Sequence, residues 1–159
     1  FMNNRDFNKI VIVSLCDSYT KQLGKLLSQN LDMMFCDTKD LIEYELIDRN
    51  AVVELCSKEY LEASERKVID HIASFVNVVV AISYDYLVHN IDILKENSLI
   101  VYVKLSKKYV KENANVINFI SYDDRTKTLE GLADLTLMLK KQDLDFVCQK
   151  LIEKLGGCL

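Results

Sequence analysis

Ile10-Val-Ile-Val-Ser-Leu15, followed by Asp17-Ser-Tyr-Thr-Lys-Gln-Leu-Gly-Lys-Leu-Leu-Ser-Gln-Asn30, is the stretch that decides the fold. The first part is a continuous β-branched run with no polar alternation, the mark of a strand buried on both faces, as parallel strands are. The second places Leu23, Leu26 and Leu27 on one face of a helix from Ser18 to Asn30, with Asp17 or Ser18 as its cap.

The same alternation continues outward. Met33-Met-Phe-Cys36 reads as a second strand ending at Asp37, and Thr38 to Ile47 as a helix with Leu41, Ile42 and Leu46 on its apolar side. Ala51 to Cys56 reads as a helical turn, and Glu59 to Phe75 as a longer helix burying Leu61, Val68, Ile69 and Ile72. Val78-Val-Val-Ala-Ile82 is the most apolar strand. A helix from Tyr84 to Asn97 leads to a fourth strand, Leu99-Ile-Val-Tyr-Val103. Two short helices, Ser106 to Glu112 and Arg125 to Leu132, precede a weak fifth strand, Leu135-Thr-Leu-Met138. A helix from Leu144 to Leu155 follows, stopped by Gly156 and Gly157. Strands alternating with helices predict a three-layer α/β/α domain over residues 1–159, with a five-stranded parallel sheet. Met2 reads as the natural start, with Phe1 an extra residue before it.

Composition narrows the function. Of 159 residues, 50% are apolar and 28% charged, enough apolar material for a sizeable core. The net charge of −4 excludes nucleic acid and an anionic membrane surface as the main partner. Five cysteines, an odd number without a CxxC pair, fit a reducing cytoplasm and thiols acting as small buried hydrophobes. His71 and His89 stand too far apart for a local metal site. The run from Val78 to Ile82 is far too short to span a bilayer. With four glycines, at positions 24, 131, 156 and 157, the chain has neither a regular Walker A loop nor a GxGxxG turn.

Ligands of open parallel sheets bind beyond the carboxyl ends of the strands. The turn from Ser14 to Gly24 therefore stands where a phosphate loop stands, between a strand and a helix. It has no glycine before Gly24, and Asp17 repels an anion.

The wider order of residues resembles the shikimate kinase family. Phe35-Cys-Asp-Thr-Lys-Asp-Leu-Ile-Glu43 is similar to that family's apolar pair, Asp-Thr-Asp and Ile-Glu. Tyr60-Leu-Glu-Ala-Ser-Glu65 with Val68 stands for its Phe-Arg-x-x-Glu-x-x-Val. Asn97 to Ser106 resembles its fourth strand, and Arg125 with Ala133-Asp-Leu-Thr-Leu137 its late arginine and last strand. The resemblance spans nearly the whole chain as an ordered skeleton. It implies a P-loop kinase fold and an ancestor using ATP, magnesium and shikimate in aromatic amino-acid synthesis.

The family's active-site residues mostly do not carry over. Aligned without gaps on Asp37, Ser14, Asp17 and Tyr19 fall at the three loop glycines, and Thr20 at the catalytic lysine. Lys21 and Gln22 fall at the magnesium-holding Ser/Thr pair. Lys39 replaces the aspartate that grips substrate hydroxyls, and Glu62 the arginine that pairs with the substrate carboxylate. Ser83, Tyr84 and Asp85 replace a triple glycine, and the stretch between Ser106 and Arg125 is too short for the lid. Asp37, Arg125 and, less directly, Glu65 persist.

Two readings stand at each of these positions. Asp37 either holds magnesium or caps the next helix; Arg125 either binds an anion or makes a structural ion pair. Glu62, Glu65, Arg66 and Lys67 read as a solvated helix face with Glu62–Arg66 pairing. Tyr84 and Tyr86 either line a remodelled pocket or fill the space of the lost glycines. His89 offers an acid–base group without a nucleophile beside it.

The expected function is a cytoplasmic, shikimate-kinase-like protein without catalysis, a binding or regulatory module needing no cofactor. The alternative is an active shikimate kinase using Mg and ATP in a rearranged site around Lys21, Asp37 and Arg125. A third reading is an unrelated flavodoxin-like binding domain.

Overall fold

The computed structural model describes residues 7–46, 57–114, 121–140 and 142–156. Five strands form one all-parallel sheet: β1 (Lys9–Val13), β2 (Met34–Asp37), β3 (Val78–Ile82), β4 (Ser98–Lys104) and β5 (Leu135–Met138), in the order β2-β3-β1-β4-β5. The helices are α1 (Asp17–Leu31), α2 (Thr38–Glu45), α3 (Lys58–Ala73), α4 (Tyr84–His89), α5 (Ile91–Leu94), α6 (Lys107–Asn113), α7 (Tyr122–Leu132) and α8 (Leu144–Gly156). The reading of Ala51–Cys56 as a helical turn lies outside the described residues, as do Ile47 and Gly157.

β1 lies at the centre because its run Ile10–Val13 is apolar and buried on both faces; every residue of β1, including Lys9 at its start, and of β3 is buried. Val11 lies opposite Val80 on one side and Ile100 on the other. Helices cover the sheet through Leu23 and Leu27 of α1, Ile69 and Ile72 of α3, and Leu151 and Leu155 of α8, all at most 1% exposed. Gly24 brings α1 close to the sheet, since a Cβ there would stand 2.7 Å from the Phe35 ring and 3.6 Å from Ala81 Cβ. The weak fifth strand is held by Asp134. Its carboxylate accepts the Ile100 N–H (2.8 Å), and its own N–H donates to the Ile100 carbonyl.

Three residues with positive φ stand at the amino edge of the sheet: Asp32 (54°), Asn77 (55°) and Asn97 (56°), just before β2, β3 and β4. Asp and Asn tolerate this left-handed region better than other non-glycine residues. A line of backbone bonds links this edge: Asn8 N–H to Asn97 C=O, Asn77 N–H to Asn8 C=O, and Met34 N–H to Asn77 C=O.

Several local expectations need correction. Neither Asp17 nor Ser18 caps α1: the cap position is Cys16, whose side chain makes no capping hydrogen bond. The helix expected from Tyr84 to Asn97 is two helices, broken at Asn90 (φ −126°, ψ 19°), whose side-chain amide donates to the Tyr86 carbonyl. Asn97 belongs to the turn before β4 instead. The helix expected from Thr38 ends at Glu45. Among the described residues, no helix is long and apolar enough to cross a membrane.

Candidate functional site

The carboxyl ends of the strands gather the candidate residues. β1 ends at Val13 and α1 starts at Asp17, leaving only Ser14-Leu15-Cys16 between them. Ser14 is 1% exposed, and its hydroxyl accepts the Cys16 N–H (3.1 Å) and lies 2.6 Å from the Thr20 hydroxyl. Thr20, 2% exposed, also reaches the Cys16 carbonyl at 3.2 Å. Tyr19 is buried edge-on against Tyr109 of α6, with ring centroids 5.7 Å apart. The Cys16 thiol points to the Asn113 carbonyl at 3.7 Å. A GxxxxGK[ST] loop needs eight residues with backbone N–H groups turned inward. Here three residues suffice, and one of those N–H groups is bonded within the chain.

Asp17 borders three adjoining hollows above this turn. The widest, about 880 Å³, lies between α3 and α4 and also presents Lys39, Glu62, Glu65, Asp85 and His89. The second, about 270 Å³, adds Lys21 and Asp37. The third, about 30 Å³, lies among Ser14, Ser83, Tyr84, Asp85 and Arg125. The fold thus brings Asp17, Lys21, Asp37, Lys39, Glu62, Glu65, Ser83, Tyr84, Asp85 and Arg125 to the borders of these hollows, but leaves Tyr19, Gln22, Lys67 and His71 outside them. Asp17 keeps an open surface, but protein crowding its carboxyl pushes its pKa up; Lys39 and Arg125 oppose that shift, and Asp37 and Asp85 add to it.

Asp37 caps α2: its carboxylate accepts the Asp40 N–H at 3.0 Å. Burial raises its pKa against that bond. Lys21 pairs with Asp40 at 2.6 Å, so its ammonium is turned toward α2. Arg125 stacks on Tyr84, 4.5 Å from the ring centroid, and lies 3.9 Å from Asp85. Among the described residues, no three His, Cys, Asp or Glu side chains are grouped as a metal site. Burial pushes the Cys36 thiol up to about 11, which leaves it protonated at neutral pH.

The α3 face departs from the sequence reading. Glu65 is 8% exposed and accepts a 2.6 Å hydrogen bond from the Tyr86 hydroxyl. Its position was legible: Glu65 follows Leu61 by four residues and precedes Ile69 by four, on the buried stripe. Arg66 does not pair with Glu62; it donates to Asp92 at 2.7 Å and to the Asn90 side chain at 3.1 Å. Lys58 and Glu59 also border the wide hollow, and no spacing in the sequence singled them out. An apolar hollow of about 470 Å³ runs along the open edge of β2, from Met34 and Val76 at one end to Asp37 at the other, beside Tyr44.

A parallel sheet in this order, with its hollows over the carboxyl end of β1, defines the P-loop kinase architecture, in its shikimate-kinase-like form. The structure of shikimate kinase from Acinetobacter baumannii in complex with shikimate matches with a TM-score of 0.77 at 15% identity, covering 95% of this chain and 94% of that one. Shikimate kinase from Aquifex aeolicus matches at 0.76 and 15%, over 94% and 96% of the two chains. A gluconokinase from Sinorhizobium meliloti is more distant, at 0.59 and 13%, over 96% and 93%. At such identities the likeness is one of fold. No protein-family model matches the sequence, and no curated protein is significantly similar to it.

Proposed function

We propose that this chain is a non-catalytic binding or regulatory module built on a shikimate kinase fold. The observation that carries the reading is the turn after β1. Phosphoryl transfer depends on positioning and neutralising phosphate charge. At the place for that work, Ser14 and Thr20 bond to each other and to Cys16, and α1 begins at once. ATP and its magnesium do not fit these residues. Asp17 puts a carboxylate where a triphosphate would lie, and Asp37 is engaged as a helix cap. The rearranged kinase site around Lys21, Asp37 and Arg125 loses support because Lys21 is held by Asp40 and Arg125 faces Tyr84 and Asp85.

The wide hollow supports the same reading for the old substrate. Glu62 and Lys39 both face it with charges opposite to those the shikimate kinase resemblance implies. Calorimetry with Mg-ATP and, separately, with shikimate is expected to give no saturable heat at millimolar ligand. A micromolar dissociation constant for Mg-ATP would overturn the proposal in favour of an active kinase.

A further inference from the structure

β2 is an edge strand: β3 pairs with one side of it and, among the described residues, no strand pairs with the other. The Met34 N–H donates to the Asn77 carbonyl just before β3, so Met34 and Cys36 turn their backbone groups toward β3. Alternate residues of a parallel strand bond to a given neighbour. The N–H and C=O of Phe35 therefore point outward, without a partner among the described residues, and the Asp37 N–H points the same way. The apolar hollow of about 470 Å³ runs beside that edge, bordered by Met34 (70% exposed), Tyr44 (80%) and Val76 (60%). A single exposed apolar side chain is ordinary, but three on one groove beside unpaired backbone mark an interaction surface. The groove's two acids are already engaged, Asp40 by Lys21 and Asp37 as a helix cap.

We infer that this edge pairs with the same edge of a second copy of the chain, β2 against β2 about a twofold axis, joining two sheets into one. A twofold axis makes the pair antiparallel, and an axis at Phe35 sets that residue opposite itself. Each Phe35 then donates its N–H to the other and accepts in return, using the groups the edge leaves free. The Asp37 N–H and the Met33 carbonyl of the second copy make the next pair outward. Met34 falls opposite Cys36 of the second copy, and both residues line the hollow. The antiparallel sense also separates the acids: the two Asp37 residues stand roughly 13 Å apart along the pair, beyond the screening length of about 8 Å. An in-register parallel pair would set them side by side. Asp32, just outside the pairing, comes toward Asp37 of the second copy and keeps the affinity modest, a repulsion that salt screens. What favours a second copy over another strand is that the free groups are complementary to themselves and the lining has no unpaired charge that calls for an opposite one.

The test is sedimentation of the wild type from about 10 to about 500 µM, the range in which a weak dimer forms. The mass is expected to climb from 18.3 kDa toward twice that value, more steeply at higher salt. Met34→Lys puts a charge at the centre of the pairing, on a side chain exposed enough to leave the monomer's melting temperature unchanged. It is expected to weaken association by roughly tenfold or more. Met34→Cys reads the register. Residues opposite one another at a non-hydrogen-bonded antiparallel position stand about 4.5 Å apart at Cα, within reach of a disulfide. Under mild oxidation the introduced thiol is expected to link to Cys36 of the second copy, giving a band of twice the mass on a non-reducing gel; adding Cys36→Ser is expected to abolish that band. A wild type that stays monomeric across the range overturns the inference and leaves the edge to a strand of another protein. A dimer that Met34→Lys does not weaken, or one without the cross-link to Cys36, overturns it as well. None of these measurements involves Mg-ATP or shikimate, so the dimer and the proposed function stand or fall separately.

Discussion

The Ser14 and Thr20 hydroxyls meet at 2.6 Å directly after β1 and close a small network on the backbone of Cys16. Ser14→Ala removes the acceptor of a buried N–H, which costs about 1–3 kcal/mol. Urea unfolding is expected to show that loss in the midpoint with an unchanged slope. Thr20→Lys, which restores the residue type the shikimate kinase resemblance implies, forces an ammonium into a site 2% exposed. It is expected to destabilise by roughly 3 kcal/mol or more and to bring no Mg-ATP binding. A stable Thr20→Lys protein that binds nucleotide would contradict this account of the turn.

Asp17 gives a pH signature. Its folded-state pKa lies above the ordinary value of 3.8, chiefly because of crowding by protein. A carboxyl raised in this way favours the fold most below its unfolded pKa and loses that contribution as pH rises through the folded pKa. At neutral pH the ionised Asp17 is therefore a penalty. Asp17→Asn is expected to melt higher than the wild type at pH 7, and the difference is expected to vanish below the ordinary aspartate range. Melting curves from pH 3 to pH 8 decide it.

The Tyr86–Glu65 bond joins α4 to α3 across the floor of the wide hollow. Hydrogen bonds to charged groups contribute about 1.5–3 kcal/mol, and Tyr86→Phe is expected to lose an amount in that range. Arg66→Ala, which breaks a more exposed contact to Asp92, is expected to lose about 1 kcal/mol or less. Chemical denaturation of both variants checks the order of the two losses.

Asn77 and Asn97 hold left-handed conformations. Alanine at either position keeps the Cβ of asparagine but loses the short polar side chain that offsets its cost in that region, about 1–2 kcal/mol. Glycine, free of a Cβ, is expected to stay within about 0.5 kcal/mol of the wild type. Thermal unfolding of the four single variants separates backbone strain from lost side-chain contacts: equal losses for alanine and glycine would assign the effect to the side chains.

The sheet was legible because its central strands carry continuous apolar runs. Val78–Ile82 and Leu135–Met138 were read to the residue and the other strands within two residues; the buried β1 and β3 have no competing interpretation, and the ends missed elsewhere are the polar Lys9, Asp37, Ser98 and Lys104. Helix ends were harder. Asp17 and Ser18 are good caps by type, yet α1 begins with Cys16 at the cap position, where the chain leaves the packed Ser14–Thr20 network. The break at Asn90 depends on its own side-chain bond and on Arg66 reaching it from α3, a contact 24 residues away. The gathering of Asp17, Lys39, Glu62, Asp85 and Arg125 at one end followed from the order of elements. How they pair did not: Lys21 with Asp40 and Arg125 with Asp85 are settled by helix placement, which no spacing encodes.

The row of Asx residues at the amino edge has a consequence for how this protein changes over generations. Asp32, Asn77 and Asn97 set where β2, β3 and β4 begin, and backbone bonds through Asn8 tie that edge together. Strand alignment is thus anchored at the end of the sheet opposite the hollows that Asp17 borders. A mutation in Ser14–Asp17 or Ser83–Asp85 alters what the protein can hold without unsettling which strand residues face one another. Such a division lets substitutions around those hollows accumulate one at a time while the strand register is kept.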